Sequence, residues 1–226
     1  MQPQTTPTEP LRHLQDLLRA TLPMARIEPQ RLPGCPEISL GLINPDFPLG
    51  PLPAEVMRDV IARPAYWALC WGSGLALARY LLDHPHRVRD RTVLDLGAGS
   101  GVVAIAAAMA GARGVVACDT DPDACDATSA NAALNGVSVS VCGSLDAAPC
   151  DNDLLLMADV LYDRGNLALL GAAAGHAREI LVADSRVAVL PDPTYRTRVE
   201  IPALTHPNLG EFDQFGSVRL FYRGAA

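Results

Sequence analysis

From Thr92 onward, short apolar runs alternate with longer segments in which apolar and small residues recur at helical spacing. The runs TVLDLG, GVVACD, VSVSVC, DLLLMAD and EILVAD (starting at residues 92, 114, 137, 153 and 179) are too short for helices and read as strands. Between them, GVVAIAAAMAG predicts a helix ended by Gly111, and DACDATSANAALNG predicts one ended by Gly136. A further helical stretch is expected near Asn166 to His176. Strands apolar on both sides, each followed by a helix, mean a parallel sheet covered on both faces, so the fold class is α/β. The closing GSVRLFYR (216–223) reads as an edge strand.

The pattern before Thr92 is less regular. Leu11, Leu14, Leu17 and Leu18 predict a short amphipathic helix that packs on the main body. Between Pro23 and Pro53 the prolines are too dense for long helices, and only EISLGLI (37–43) alternates like a strand. A helix is expected over Leu75 to Leu82. Residues 1–85 are therefore expected to form an extension, partly helical and partly irregular, that packs on a core domain of residues 86–226.

Composition narrows the function. The chain has 226 residues and a formal net charge of −7, which does not describe a surface built to neutralise phosphates. No nucleic-acid partner is expected. All 18 basic residues are arginine. The six cysteines form no Cys-x-x-Cys pair, and several lie in apolar runs, as reduced thiols of a cytoplasmic protein would. The first residues lack the basic start and apolar core of a signal peptide. The longest apolar run, Val102 to Ala110, is less than half of the ~20 residues that span a bilayer, so no membrane partner is expected. The five histidines show no ligand spacing, and no metal is expected.

The chemistry concentrates in VLDLGAGSG, where Gly97, Gly99 and Gly101 follow a strand and open a helix. Such a turn lies at the crevice where open α/β sheets bind ligands. A dinucleotide site needs Gly-x-Gly-x-x-Gly; here the third glycine comes one position early and residue 102 is valine, which argues against NAD.

Asp95-x-Gly97-x-Gly99-x-Gly101 instead resembles motif I of the class I S-adenosylmethionine (SAM) methyltransferases. A wider resemblance runs from about Pro36 to Asp163. PEISLGLI, PAYWALCWGSGLALARYLLDHP, the motif I segment, DTDPDACDATSANAALN and ADVLYD together resemble the electron-transfer-flavoprotein β-subunit lysine methyltransferase group of the seven-β-strand enzymes. The resemblance implies a Rossmann-like three-layer sandwich with a mostly parallel seven-stranded sheet and SAM as cofactor. It also implies cofactor contacts from Trp71, Asp95, Gly97, Ala98, Gly99, Gly101, Asp119, Thr120, Ser144, Leu145 and Ala158. Among these, Asp95 either meets the cofactor's ammonium or hydrogen-bonds the loop backbone. Asp119, ending the second strand of the regular region, is placed to accept the ribose hydroxyls. Trp71 is either a lid near the cofactor or a core aromatic, and Tyr66 and Trp67 read as packing residues. Asn131 and Asn135 read as structural.

The implied catalytic residues are Asp159, orienting the acceptor amine, and Tyr162, lining its channel; the alternative for Asp159 is a loop cap. The expected activity is methyl transfer to a lysine of a protein such as the electron-transfer flavoprotein β subunit. A small-molecule N-methyltransferase of the nicotinamide-like kind and a non-catalytic SAM-binding protein are the alternatives. Three departures from the family's pattern bear on the substrate. Trp71-Gly72-Ser73-Gly74 stands where Trp-Pro-Gly-Gly is common, Asp159-Val160-Leu161-Tyr162 replaces Asp-x-Phe-Tyr, and Ala183-Asp184-Ser185-Arg186 replaces Gly-Asp-Pro-Gly-Arg.

Overall fold

A computed structural model describes residues 9–48, 50–210 and 216–224. The regular region forms β3 (Thr92–Leu96), α4 (Val102–Met109), β4 (Gly114–Cys118), α5 (Pro122–Leu134), β5 (Ser140–Cys142), β6 (Asn152–Ala158), α6 (Leu169–Ala173) and β7 (Ala177–Asp184). It closes with β8 (Arg196–Pro202) and β9 (Ser217–Arg223). Before it come α1 (Glu9–Arg19), β1 (Ile27–Leu32), β2 (Cys35–Ile43), α2 (Ala54–Ala62) and α3 (Gly72–Asp83). Seven strands make one sheet in the order β5-β4-β3-β6-β7-β9-β8, parallel from β5 to β7, with β9 antiparallel to both its neighbours.

The strand alternation divides the core into two layers. Val93, Leu154, Leu156, Leu181, Ala183 and Leu220 face α3 and α4, while Leu94, Leu155, Met157, Ile180, Val182 and Phe221 face Leu170 and Ala173 of α6. Helix α4 is apolar all round because it is enclosed: Val102 to Ala107 are all buried. Helix α5 starts with Asp121 accepting the Asp123 N–H at 3.0 Å and Pro122 in the first turn.

Two expectations are corrected. GSVRLFYR is not the edge: β9 lies inside the sheet between β7 and β8. The edge is β8, whose residues RTRVEIP are exposed apart from a half-buried Ile201, so no buried face signalled it. Its alternating charges, Arg196, Arg198 and Glu200, discourage pairing with another chain. The second correction concerns the proline-rich stretch, where β2 pairs with an unforeseen β1 in an antiparallel hairpin through Gly34, at φ +75°. Pro29 is tolerated because the hairpin has only two strands.

As expected, α1 packs inward. Leu11, Leu14 and Leu18 are fully buried against Ile27, Ile43 and Ala124, Ala127 and Ala130 of α5. The hairpin is fastened by two asparagines of α5. Asn131 Oδ1 accepts the Gly41 N–H at 2.7 Å while its Nδ2 donates to the Ser100 carbonyl at 2.9 Å. Asn135 both accepts the Ser39 N–H at 2.9 Å and donates to the Ser39 carbonyl at 2.6 Å. Asn131 is completely buried, so Asn131→Leu leaves a buried N–H and a buried carbonyl without partners. A loss of about 2–4 kcal/mol is expected, readable as a lower denaturation midpoint.

Candidate active site

Because β3 to β7 run parallel, the loops that follow them share one edge of the sheet. The chain starts at the central β3, fills one side with β4 and β5, then returns to place β6 and β7 on the other, so the switch point lies between β3 and β6. Around it stand Gly97–Gly101, Asp119–Thr120, Ser144–Leu145 and Ala158–Asp159, each at the end of its strand. The fold therefore brings the expected site residues to one edge, including those more than 60 positions apart in the chain.

The glycine loop is held from three sides. Gly97 and Ala98 donate to the Cys118 carbonyl at 2.8 and 3.2 Å. Gly99 donates to Asp119 Oδ2 at 2.9 Å, and from α5 Thr128 Oγ1 donates to the Gly99 carbonyl at 3.2 Å beside the Asn131 contact. Two glycines illustrate different needs. At Gly97, φ +77°, an added Cβ would sit 2.5 Å from Val160 Cγ2; at Gly99, φ +53°, it would meet nothing within 4 Å. Gly97 thus serves packing, and Gly99 borders open space beside the Asp119 carboxylate. A cofactor that carries hydroxyls beside Asp119 fits this cradle. Asp119 Oδ1 also accepts the Asp121 N–H at 3.0 Å, so each of its oxygens holds backbone and keeps a lone pair for a ligand hydroxyl.

Asp95 lies beneath the loop, 1% exposed, with Oδ2 accepting the Ala104 N–H at 3.0 Å in the first turn of α4. That contact is to helix backbone, one turn beyond the loop that the sequence reading named as its backbone alternative. Burial raises its pKa from 3.8 to about 7, opposed by the Ala104 N–H and reinforced by the charge of Asp119. A carboxyl raised in the folded state adds stability below about pH 3.8, and that contribution is lost as pH rises through 7. Asp95→Asn stays neutral and still offers an acceptor. The variant's melting temperature minus that of the wild type, both cofactor-free, is therefore expected to climb between about pH 4 and 7 and then level. A pH-independent difference would contradict this account of Asp95.

At the end of β6, Asp159 adopts φ +54°, a left-handed conformation rare outside glycine, asparagine and aspartate. The turn directs its carboxylate at the start of α3. Trp71 in the N-cap position offers no side-chain acceptor, and Asp159 takes that place: Oδ2 accepts the Ser73 N–H at 2.8 Å and Oδ1 the Ser73 hydroxyl at 2.7 Å. Arg186 Nη1 lies 3.4 Å from Oδ1. Burial nevertheless dominates and raises the pKa of Asp159 to about 6, against both Ser73 contacts and Arg186 and with the help of Asp184. Asp184 is fully buried, with Oδ1 accepting the Arg186 and Val187 N–H groups at 2.7 and 2.8 Å. Ser73 and Arg186 both stand in segments where the chain departs from the pattern of the family it resembles, and both touch the same carboxylate.

An aromatic rim completes the mouth. Trp71 is half-buried, Tyr162 is 57% exposed, and Tyr66 is 48% exposed, contrary to its reading as a packing residue; Trp67 alone is buried. Tyr66 meets Trp71 edge-on at 5.7 Å between centroids and Tyr162 at 6.0 Å, and its carbonyl accepts the Trp71 indole N–H at 2.9 Å. Burial raises the Tyr162 pKa, as do Tyr66, Asp163 and Asp119. Tyr66 was missed because a Tyr-Trp pair reads as core; only its position five residues before Trp71 hinted otherwise. Among the described residues, no group of three or more His, Cys, Asp or Glu is arranged to hold a metal ion, and no helix is long and apolar enough to cross a membrane.

The profile of the ribosomal protein L11 methyltransferase family (PrmA) matches residues 76–161, from α3 to the end of the Asp159 turn. The electron transfer flavoprotein beta subunit lysine methyltransferase of Rattus norvegicus is 45% identical over 101 residues, covering 43% of this chain and 40% of its own. The protein of that name from Danio rerio is 41% identical over 140 residues, covering 57% and 50%. The chain thus spans half or less of the length of these curated relatives. The ribosomal protein L11 methylase of Lactobacillus delbrueckii subsp. bulgaricus superposes with a TM-score of 0.51 at 22% identity, over 66% of this chain and 78% of its own, which establishes the shared fold.

Proposed function

We infer that this chain, which belongs to the class I SAM-dependent methyltransferases, transfers a methyl group from SAM to a lysine side chain of a protein, with the electron-transfer flavoprotein β subunit as the acceptor its relatives' names suggest. The observation that carries the reading is the meeting, on one sheet edge, of the Gly99–Asp119 cradle with the Asp159 carboxylate under an open aromatic rim. In this reading Asp119 holds the ribose, Gly97, Ala98, Gly99, Gly101 and Thr120 shape the loop around the cofactor, and Ser144 and Leu145 flank its adenine. Asp95, Ala158 and Trp71 enclose the amino-acid end. When bound, SAM supplies an electrophilic methyl group on a sulfonium.

The chain's own task is then alignment and exclusion of water. A lysine amine with a free pKa of ~10.4 must be neutral to attack, which at pH 7 costs roughly 4–5 kcal/mol. Asp159, at about 6, is too weak a base to keep that proton. Its part is to accept a hydrogen bond from the neutral amine and point its lone pair, while Ser73 fixes the carboxylate. Tyr66 and Tyr162 stand about half exposed at this edge; in this reading they border the approach of a side chain projecting from a protein, which favours a protein over an enclosed metabolite.

The test is label transfer from methyl-labelled SAM into a lysate of the source cell, separated into protein and small-molecule fractions. Label in protein, released as methyllysine on digestion, is the expected result. Label confined to small molecules would support the nicotinamide-like alternative.

A further inference from the structure

A lone carboxylate is a poor partner for a lysine that must lose its proton. An anion within hydrogen-bond reach of an amine favours the ammonium form, which cannot attack. Asp159, as the group that orients the acceptor amine, therefore needs its charge balanced at the site. Among the described residues, Ser73 at the start of α3 donates its N–H and its hydroxyl to this carboxylate, and both are neutral. Cys70, two residues before α3, is fully buried, and burial pushes its thiol up, so it stays uncharged. From the end of β7, Asp184 makes the Asp159 carboxyl harder to ionise and Arg186 makes it easier. Of these groups, Arg186 is the cation.

The fold sets Arg186 beside Asp159 from two directions. β7 lies next to β6, with Ala183 paired to Ala158 and the Ala183 carbonyl accepting the Asp159 N–H at 3.2 Å. Asp184, the last residue of β7, spends its buried Oδ1 on the turn that follows, accepting the Arg186 and Val187 N–H groups at 2.7 and 2.8 Å. The Arg186 backbone is thereby fixed at the strand end adjoining Asp159. Its Nη1 then donates to Asp159 Oδ1 at 3.4 Å, the same oxygen that accepts the Ser73 hydroxyl at 2.7 Å. The Asp159 side chain is 9% exposed and that of Arg186 31%, so water screens this pair less than it would a pair on the open surface.

We propose that Arg186 is a positioning residue for methyl transfer: it acts through Asp159, pinning Oδ1 and compensating its charge, so that the carboxylate orients the acceptor amine without holding a proton on it. The proposal rests on the protein-lysine reading given above. The ammonium gives its proton to solvent before the nitrogen attacks, and Asp159 keeps only a hydrogen bond to the neutral amine. Removing the guanidinium acts with one sign on both partners. The Asp159 carboxyl becomes harder to ionise, and an ammonium beside it becomes harder to deprotonate. Each change moves the rising side of the rate–pH curve to higher pH, which a loss of packing alone would not do.

The test compares the wild type with Arg186→Gln, which removes the charge, and Arg186→Lys, which keeps it. The probe is purified electron-transfer flavoprotein from the same source, with saturating SAM, and kcat is followed between about pH 6 and 10. In Arg186→Gln the rising limb is expected to move up by about one pH unit, so turnover on that limb falls about tenfold and recovers towards the wild-type value at the alkaline end. Arg186→Lys should stay close to the wild type, and SAM affinity should be unchanged in both. Without any acceptor, the Asp159 carboxyl carbon followed by NMR should titrate near 6 in the wild type and at higher pH in Arg186→Gln. A loss of turnover by the same factor at every pH would reduce Arg186 to a structural contact and overturn the proposal. An unmoved limb, an unmoved carboxyl titration, or a lysine variant as impaired as the glutamine one would overturn it equally. Should the wild type be inactive on this probe, the acceptor reading falls; a carboxyl titration that still moves would place the failure there and not in the pairing of Arg186 with Asp159.

Discussion

Asp119→Ala is expected to weaken SAM binding by about 10²–10³-fold, the largest effect on affinity of any single change in the site. The carboxylate does two things at once. It accepts the Gly99 N–H at 2.9 Å and the Asp121 N–H at 3.0 Å, which ties the glycine loop to the end of β4, and it is the acceptor assigned to the ribose hydroxyls. Charge-assisted hydrogen bonds to backbone contribute about 1.5–3 kcal/mol each, so their loss loosens the cradle before the ligand contact is counted. Asp119→Asn keeps one acceptor oxygen and should fall between the wild type and the alanine variant. Isothermal titration with SAM reads both, and an unchanged dissociation constant for the alanine variant would refute the ribose role.

For Asp159 the largest effect is expected on turnover. Asp159→Ala should lower kcat by about 10²-fold or more while SAM affinity stays within a few fold. It should also lower the melting temperature, because the Ser73 N–H at the start of α3 loses its acceptor, a change of roughly 1–2 kcal/mol. Asp159→Asn separates the two effects: its amide oxygen can still cap α3 and restore stability, but its charge is gone and turnover should stay low. With the Asp159 pKa at about 6, wild-type transfer should decline as pH falls through that value, since the protonated carboxyl no longer holds the neutral amine. Full turnover in the asparagine variant would reduce Asp159 to a helix cap.

The parallel core was readable because burial on both faces writes itself into the sequence. DLLLMAD has apolar residues at successive positions, and the structure sends Leu155 and Met157 to one layer and Leu154 and Leu156 to the other. β8 was unreadable for the opposite reason: a strand that buries almost nothing shows no apolar run, and its place at the edge is fixed by pairing with β9. The same holds for α2, none of whose residues is buried.

In the site, legibility followed the backbone. Positions at strand ends, from Gly97 to Asp159, could be placed from the order of strands and turns alone. What they touch could not, because those contacts come from distant segments. Ser73 reaches Asp159 across 86 positions, and Asn131 joins Gly41 to Ser100 across a hairpin that the prolines concealed. Asp95 shows a further limit. An acid near the end of β3, in the motif I pattern, suggested a ligand contact, yet complete burial gives it to α4.

The most direct measurement incubates purified electron-transfer flavoprotein with this protein and SAM and locates new methyl groups by peptide mass spectrometry. The account predicts methyllysine in the β subunit with the wild type and almost none with Asp159→Asn. A β subunit that stays unmodified while SAM is consumed on a small molecule would contradict it.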